Sequence, residues 1–262
     1  MDSFLRRQKA GRNLGWLVGG FLMLAAFLVA CNGGNGGTVV MPTTGTAVCD
    51  GLKKAERFHY VFDYRIESPK PKGHVDESAV GKPRFAVPPT FADFLFAVKY
   101  DGAFVRPDSL DFKLSVPNQP TVRTIRISDK QWYNLQGTWA LEPKPGPFLF
   151  APPRVCANIL KGLDFSGVTG PVESVGDTEA RRFHIKGASL QTAAELFGGG
   201  SDMGRLLTSY DVDVWLSEGE GHLVKVESVS KGTYPSGREM TVKLSLEAGP
   251  YNEKGIEIKA PA

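Results

Sequence analysis

The chain has 262 residues, with 31 Lys and Arg against 28 Asp and Glu, a formal net charge of +3. Four of those basic residues and one acid lie in the first 30, so residues 31–262 hold 27 charges of each sign and are formally neutral. That balance, with no basic run interleaved with aromatics, excludes a nucleic-acid partner argued from charge.

The chain opens with Arg6, Arg7, Lys9 and Arg12, after which Leu14 to Ala30 are uncharged and almost wholly apolar. A basic start, an apolar run and small residues before a cut site make an export signal, and residues 1–30 are assigned to it. Leu28-Val29-Ala30-Cys31 is similar to the bacterial lipobox, in which diacylglycerol is joined to the Cys thiol and the chain is cut before it. Cys31 is therefore the expected lipidation site, anchoring the protein to the cell membrane on its extracytoplasmic face. The alternative is a membrane span with an incidental Cys, but 17 residues with three glycines sit at the short limit for a crossing.

Residues 32–48 are rich in Gly and Thr and read as a flexible tether with a reach of about 23 Å. The remainder, 49–262, is assigned to one folded domain, large enough for a single all-β unit. With Cys31 lipidated, Cys49 and Cys156 are left in an oxidising compartment. They are expected to pair, closing a loop of about 107 residues; the alternative is two unrelated buried thiols.

Within the domain, alternation of period two dominates. Phe58, Tyr60, Phe62, Tyr64 and Ile66 share one face of a strand, with His59, Asp63, Arg65 and Glu67 on the other. Phe94, Phe96, Val98 and Tyr100 repeat the pattern, as do Leu110, Phe112, Leu114 and Val116. Val212 to Leu216, Val224 to Val226 and Met240 to Leu246 follow it later. Such strands are antiparallel with one apolar and one wet face. Asp101-Gly102, Ser128 to Lys130, Glu218 to Gly221 and Tyr234 to Gly237 are expected turns. Short helices are expected over Cys49 to Arg57, Pro153 to Leu163 and Ser189 to Phe197, and a long loop over 68–90. The fold class is mainly β (α+β): nine to eleven strands in one curved antiparallel sheet with two or three short helices.

Catalytic signatures are missing. None of His59, His74, His184 and His222 has a partner at metal spacing, and there is no nucleophile elbow. Asp211 and Asp213 share a strand face and read as solvated charges; His59 and His184 read as ordinary sheet residues. Gly198 to Gly200 ends a helix instead of opening one, so it is not an anion cradle. No enzyme activity, cofactor or metal is expected.

The aromatic stripes carry the functional reading. Phe58, Tyr60, Phe62, Tyr64, Phe94, Phe96, Phe112 and Leu114 are individually core residues. Collectively they could line an apolar cavity between a curved sheet and thin helical cover, with Tyr60 and Tyr64 offering hydroxyls. The lipobox, the Gly/Thr tether, the aromatic first strand and Gly102 to Leu110 occur in that order. Ile127-Ser128-Asp129-Lys130-Gln131-Trp132-Tyr133, Asp211-Val212-Asp213-Val214-Trp215-Leu216 and Leu223-Val224-Lys225-Val226-Glu227 follow. Together they resemble the LppX/LprA/LprF/LprG family of actinobacterial lipoproteins and, more distantly, the LolA/LolB carriers. The resemblance spans roughly residues 50–250. It implies a half-barrel around short helices, an apolar cavity for acylated lipids or glycolipids, and transport of such lipids in the envelope. A monomer is expected. The competing reading is a sensing or docking module of the same fold with a solid core.

Overall fold

Strand β1 (Arg57–Glu67) shows how the sequence builds its sheet. Phe58, Tyr60, Phe62 and Ile66 are buried while His59, Arg65 and Glu67 are exposed, as a two-residue period requires. The computed structural model describes residues 40–68, 97–143, 145–146, 148, 150–187, 206–234 and 237–261. Ten more strands complete the sheet: β2 (Ala97–Val105), β3 (Ser109–Ser115), β4 (Val122–Ile127), β5 (Lys130–Leu135), β6 (Thr138–Pro143), β7 (Val172–Val175), β8 (Thr178–Ile185), β9 (Leu207–Ser217), β10 (Leu223–Thr233) and β11 (Glu239–Tyr251).

The eleven strands form one sheet in the order β6-β5-β4-β3-β2-β1-β11-β10-β9-β8-β7, antiparallel throughout. The chain enters at the centre, walks out to the β6 edge, crosses to β7 and walks back until β11 closes against β1. Phe62 lies opposite Leu246 of β11 and Tyr100 of β2, so the apolar faces of both halves coincide. β6 and β7 are both edges, and the sheet does not close on itself.

Two helices cover the apolar face among the described residues. Helix α1 (Gly45–Lys54) is capped by Thr44, whose hydroxyl accepts from the Ala47 N–H at 3.2 Å. Helix α2 (Pro152–Leu160) starts on proline, where a missing N–H costs nothing. Val48 and Leu52 of α1 and Val155, Ile159 and Leu160 of α2 are buried. A Cβ on Gly45 would come within 1.9 Å of the Leu160 carbonyl oxygen, so only glycine permits this helix approach. Cys49 and Cys156 are disulfide-bonded across the same contact, 107 residues apart. No helix among the described residues is long and apolar enough to cross a membrane.

Several expectations need correction. Asp101-Gly102 is not a turn: both lie inside β2, and the chain reverses after Val105. A Cβ on Gly102 would meet the Asp111 carbonyl oxygen at 2.1 Å and Phe112 Cα at 2.5 Å, so this glycine marks close strand approach. Helix α1 begins at Gly45, inside the stretch expected to be tether. The Phe165 N–H donates to Thr43 O at 2.7 Å and the Gly45 N–H to Leu163 O at 2.9 Å, which joins that stretch to the domain. Helix α2 ends at Leu160, before Gly162, whose φ of 72° departs from the helical range. The turns at Ser128-Asp129 and Glu218 to Gly221 stand where expected. The export signal, Cys31, Phe94, Phe96, nearly all of the 68–90 loop and the Ser189 to Phe197 helix lie outside the described residues.

Candidate functional site: an aromatic wall on the concave face

Strands β1, β2 and β3 lay their inward side chains side by side. Phe58 stands 5.1 Å from Phe104 and 5.4 Å from Tyr251, measured between ring centroids. Phe62 is 5.8 Å from Tyr100, and Tyr100 is 5.3 Å from Phe112 in an edge contact. These spacings lie in the range where aromatic pairs attract beyond their area burial.

Two further rings come from outside the sheet. Phe148 and Phe150 belong to the segment between β6 and α2. Phe148 stacks on Phe112 at 5.0 Å, and Phe150 lies 5.2 Å from Tyr100 and 5.4 Å from Phe62. Both are half-buried, so they cover the wall while keeping one side open. Sequence reasoning missed them because they sit in a proline-rich stretch with no alternating run. The one available signal was two phenylalanines spaced by two between prolines.

Tyr60 is the unusual member. It is 1 % exposed, and its hydroxyl has no hydrogen-bond partner among the described residues. Its cross-strand neighbours are the small residues Gly102 and Ala248. Burial, with lesser effects from Tyr100, Asp111 and Asp101, pushes its pKa well above that of free tyrosine, so the phenol stays neutral and keeps its proton to donate. A buried hydroxyl left unpaired costs on the order of 1–3 kcal/mol. Tyr210, buried on the other half of the sheet, avoids that cost by donating to Ile159 O at 3.1 Å.

Beyond β3 the inner face turns polar. Thr124 and Gln131 are buried there, and the Tyr133 hydroxyl donates to Glu142 Oε2 at 2.5 Å and contacts Gln131 Nε2. The concave face is thus aromatic at its centre and polar toward the β6 edge.

Of the candidate cavity residues, Phe58, Tyr60, Phe62 and Phe112 are buried on this wall, while Tyr64 and Leu114 are half-buried on the same face. On the opposite face, Asp213 is not the freely solvated charge expected. Arg182 Nε donates to it at 2.8 Å and His184 Nδ1 lies at 2.8 Å from the same oxygen. Burial raises the pKa of Asp213, but these hydrogen bonds prevail and hold it below the usual carboxylate value. No cluster of three or more His, Cys, Asp or Glu is arranged to hold a metal among the described residues.

No family model and no curated relative matches the sequence. Among solved structures, the chain is similar to the Mycobacterium tuberculosis lipoprotein LppX, at 12 % identity and a TM-score of 0.44, over 82 % of this chain and 95 % of that one. It is also similar to LprF from Mycobacterium bovis, at 10 % identity and a TM-score of 0.45, over 83 % of this chain and 95 % of that one. The likeness is one of fold alone, and no residue role is carried over by it.

Proposed function

We propose that this chain is a lipid-anchored, non-catalytic protein of the cell envelope that binds an acylated lipid or glycolipid against its aromatic wall and hands it on. The observation that supports this best is the unpartnered Tyr60 hydroxyl within an aromatic surface half-covered by Phe148 and Phe150. An apolar wall takes acyl chains without specificity, and an isolated donor beside it suits an ester or glycosidic oxygen. Lipidation of Cys31 holds the domain, as a monomer, beside the membrane that supplies or receives the ligand.

The test is lipid analysis of the full chain, purified from a membrane fraction in mild detergent. Mass spectrometry of the intact complex is expected to find non-covalent lipid in addition to the acyl groups on Cys31. Phe62→Asp should lose that lipid or fail to fold, whereas Asp63→Ala, on the opposite face, should do neither. A protein that carries no lipid and takes up none from labelled vesicles would instead be the docking module with a solid core.

A further inference from the structure

A cleft of about 390 Å³ opens between α2, the end of α1 and the turn that links β2 to β3. Phe104, Leu110 and Phe148 supply its apolar lining, and Lys53, Arg126 and Arg154 its charge, with Asp108 the one acid among its lining residues. We infer that this cleft seats a phosphate-bearing head group of the bound lipid, whose acyl chains run past Phe148 onto the aromatic wall. The inference rests on the function proposed above and specifies the ligand's polar end.

Three observations carry it. The first is the state of the cations. The Arg154 side chain is exposed on α2 and makes no hydrogen bond or ion pair among the described residues. Arg126 Nη1 donates to Gly146 O at 2.7 Å, which positions the guanidinium while using one of its five donors. Among the described residues Lys53 is tied only to Asp50, at 3.0 Å on an exposed helix face. Arginine forks match phosphate oxygens two at a time, which a point charge does not.

The second observation is continuity. Phe148 lines the cleft and also stacks on Phe112, so one side chain belongs to both the cationic cleft and the acyl-binding wall. A ligand with charge at one end and hydrocarbon at the other matches that sequence of surfaces.

The third is contrast within a formally neutral mature chain. A larger cleft of about 560 Å³ near the β7–β8 turn is lined by Asp101, Asp177, Glu220 and Glu247, with His59 and His222. Its field repels an anion. The 440 Å³ cleft on the outer face holds Asp111 and Arg123 already paired with each other, at 2.7 Å. Of these three clefts, only the one beside Phe148 joins surplus positive charge to the aromatic face.

The experiment measures binding to the full lipid-anchored chain held in amphipol. Dihexanoyl phosphatidic acid is compared with dihexanoylglycerol, which has the same acyl chains and no phosphate, and with glycerol 3-phosphate, which has no acyl chains. The phosphatidic acid is expected to bind at least about tenfold more tightly than the diacylglycerol at low salt, with the preference shrinking as salt rises. Arg154→Glu should reduce the preference to about twofold or less, while Lys113→Glu, the same charge change on the outer face, should preserve it. Equal affinity for the two lipids, or a preference that survives Arg154→Glu, overturns the inference and leaves the lipid-binding function standing. Displacement of the phosphatidic acid by glycerol 3-phosphate at matching concentration overturns it in favour of a free-phosphate site. Binding of neither lipid overturns both.

Discussion

The disulfide offers the sharpest quantitative test of how the two helices are held over the sheet. Cys49 and Cys156 close a loop of 107 residues that contains β1 to β6, more than half of the sheet's strands. In the chain-entropy relation, a crosslink spanning a loop of that length removes freedom from the unfolded chain worth about 4.8 kcal/mol at 25 °C. The folded helices need the bond less, because Gly45 seats against Leu160 and the apolar faces of α1 and α2 are already buried. The expected consequence of cutting it is therefore lost stability with the fold retained. For a domain of this size, 1 kcal/mol shifts the melting temperature by roughly 2–4 °C, so the loss amounts to about 10–20 °C. Scanning calorimetry of the full chain with and without a phosphine reductant, alongside Cys49→Ala/Cys156→Ala, measures it directly. A shift of less than about 4 °C in both comparisons would refute the reasoning, because it would mean the crosslink does not appreciably restrict the unfolded chain. Alkylation of two additional thiols in denatured, unreduced protein would refute it more directly.

Two further outcomes follow from particular side chains. Gly102→Ala forces a Cβ against the β3 backbone, where no flexible side chain can yield, so the urea midpoint should fall by the equivalent of roughly 1–3 kcal/mol at unchanged slope; an unchanged midpoint would show that β2 and β3 separate freely. Asp213 has a folded pKa below its unfolded value near 3.9, so its contribution is present above that value and lost as pH falls through the folded pKa. Asp213→Asn should cost about 1 kcal/mol at pH 7, with the gap between wild type and variant narrowing as acid titrates the carboxylate; a gap of the same size throughout an acid titration would mean that charge plays no part.

The sheet was legible in the sequence because alternation is local. Phe58, Tyr60 and Phe62 face inward as the period of two requires, and the same logic placed Phe112 and Val212 to Leu216. Gly102 was misread because a glycine after an aspartate signals a turn by itself, whereas its actual reason is contact with Asp111 and Phe112 on the next strand. The early start of α1 escaped for a related reason: Thr44 and Gly45 look like linker composition until Leu163 and Phe165 are brought beside them. Phe148 and Phe150 were invisible as wall residues because their packing depends on where the crossing segment lies. The cationic cleft was likewise hidden, since Lys53, Arg126 and Arg154 come from three elements that only the topology assembles.

The strand order also sets a schedule for assembly. Nine of the ten ladders join consecutive strands, seven of them across connections of six residues or fewer, while the tenth pairs Phe58 with Tyr251 and Glu67 with Thr241. Because synthesis proceeds from the amino end, β1 is among the first strands made, and its second neighbour is the last. Until β11 arrives, the aromatic strand at the middle of the finished sheet is an edge, with unpaired backbone and exposed rings that invite association with other chains. The carboxy-terminal segment completes that protection: Asn252 accepts from the Glu56 N–H at 2.9 Å, and Arg57 Nη1 donates to Ile256 O at 3.3 Å. The most vulnerable moment in the life of this protein is thus the interval between making its first strand and its last.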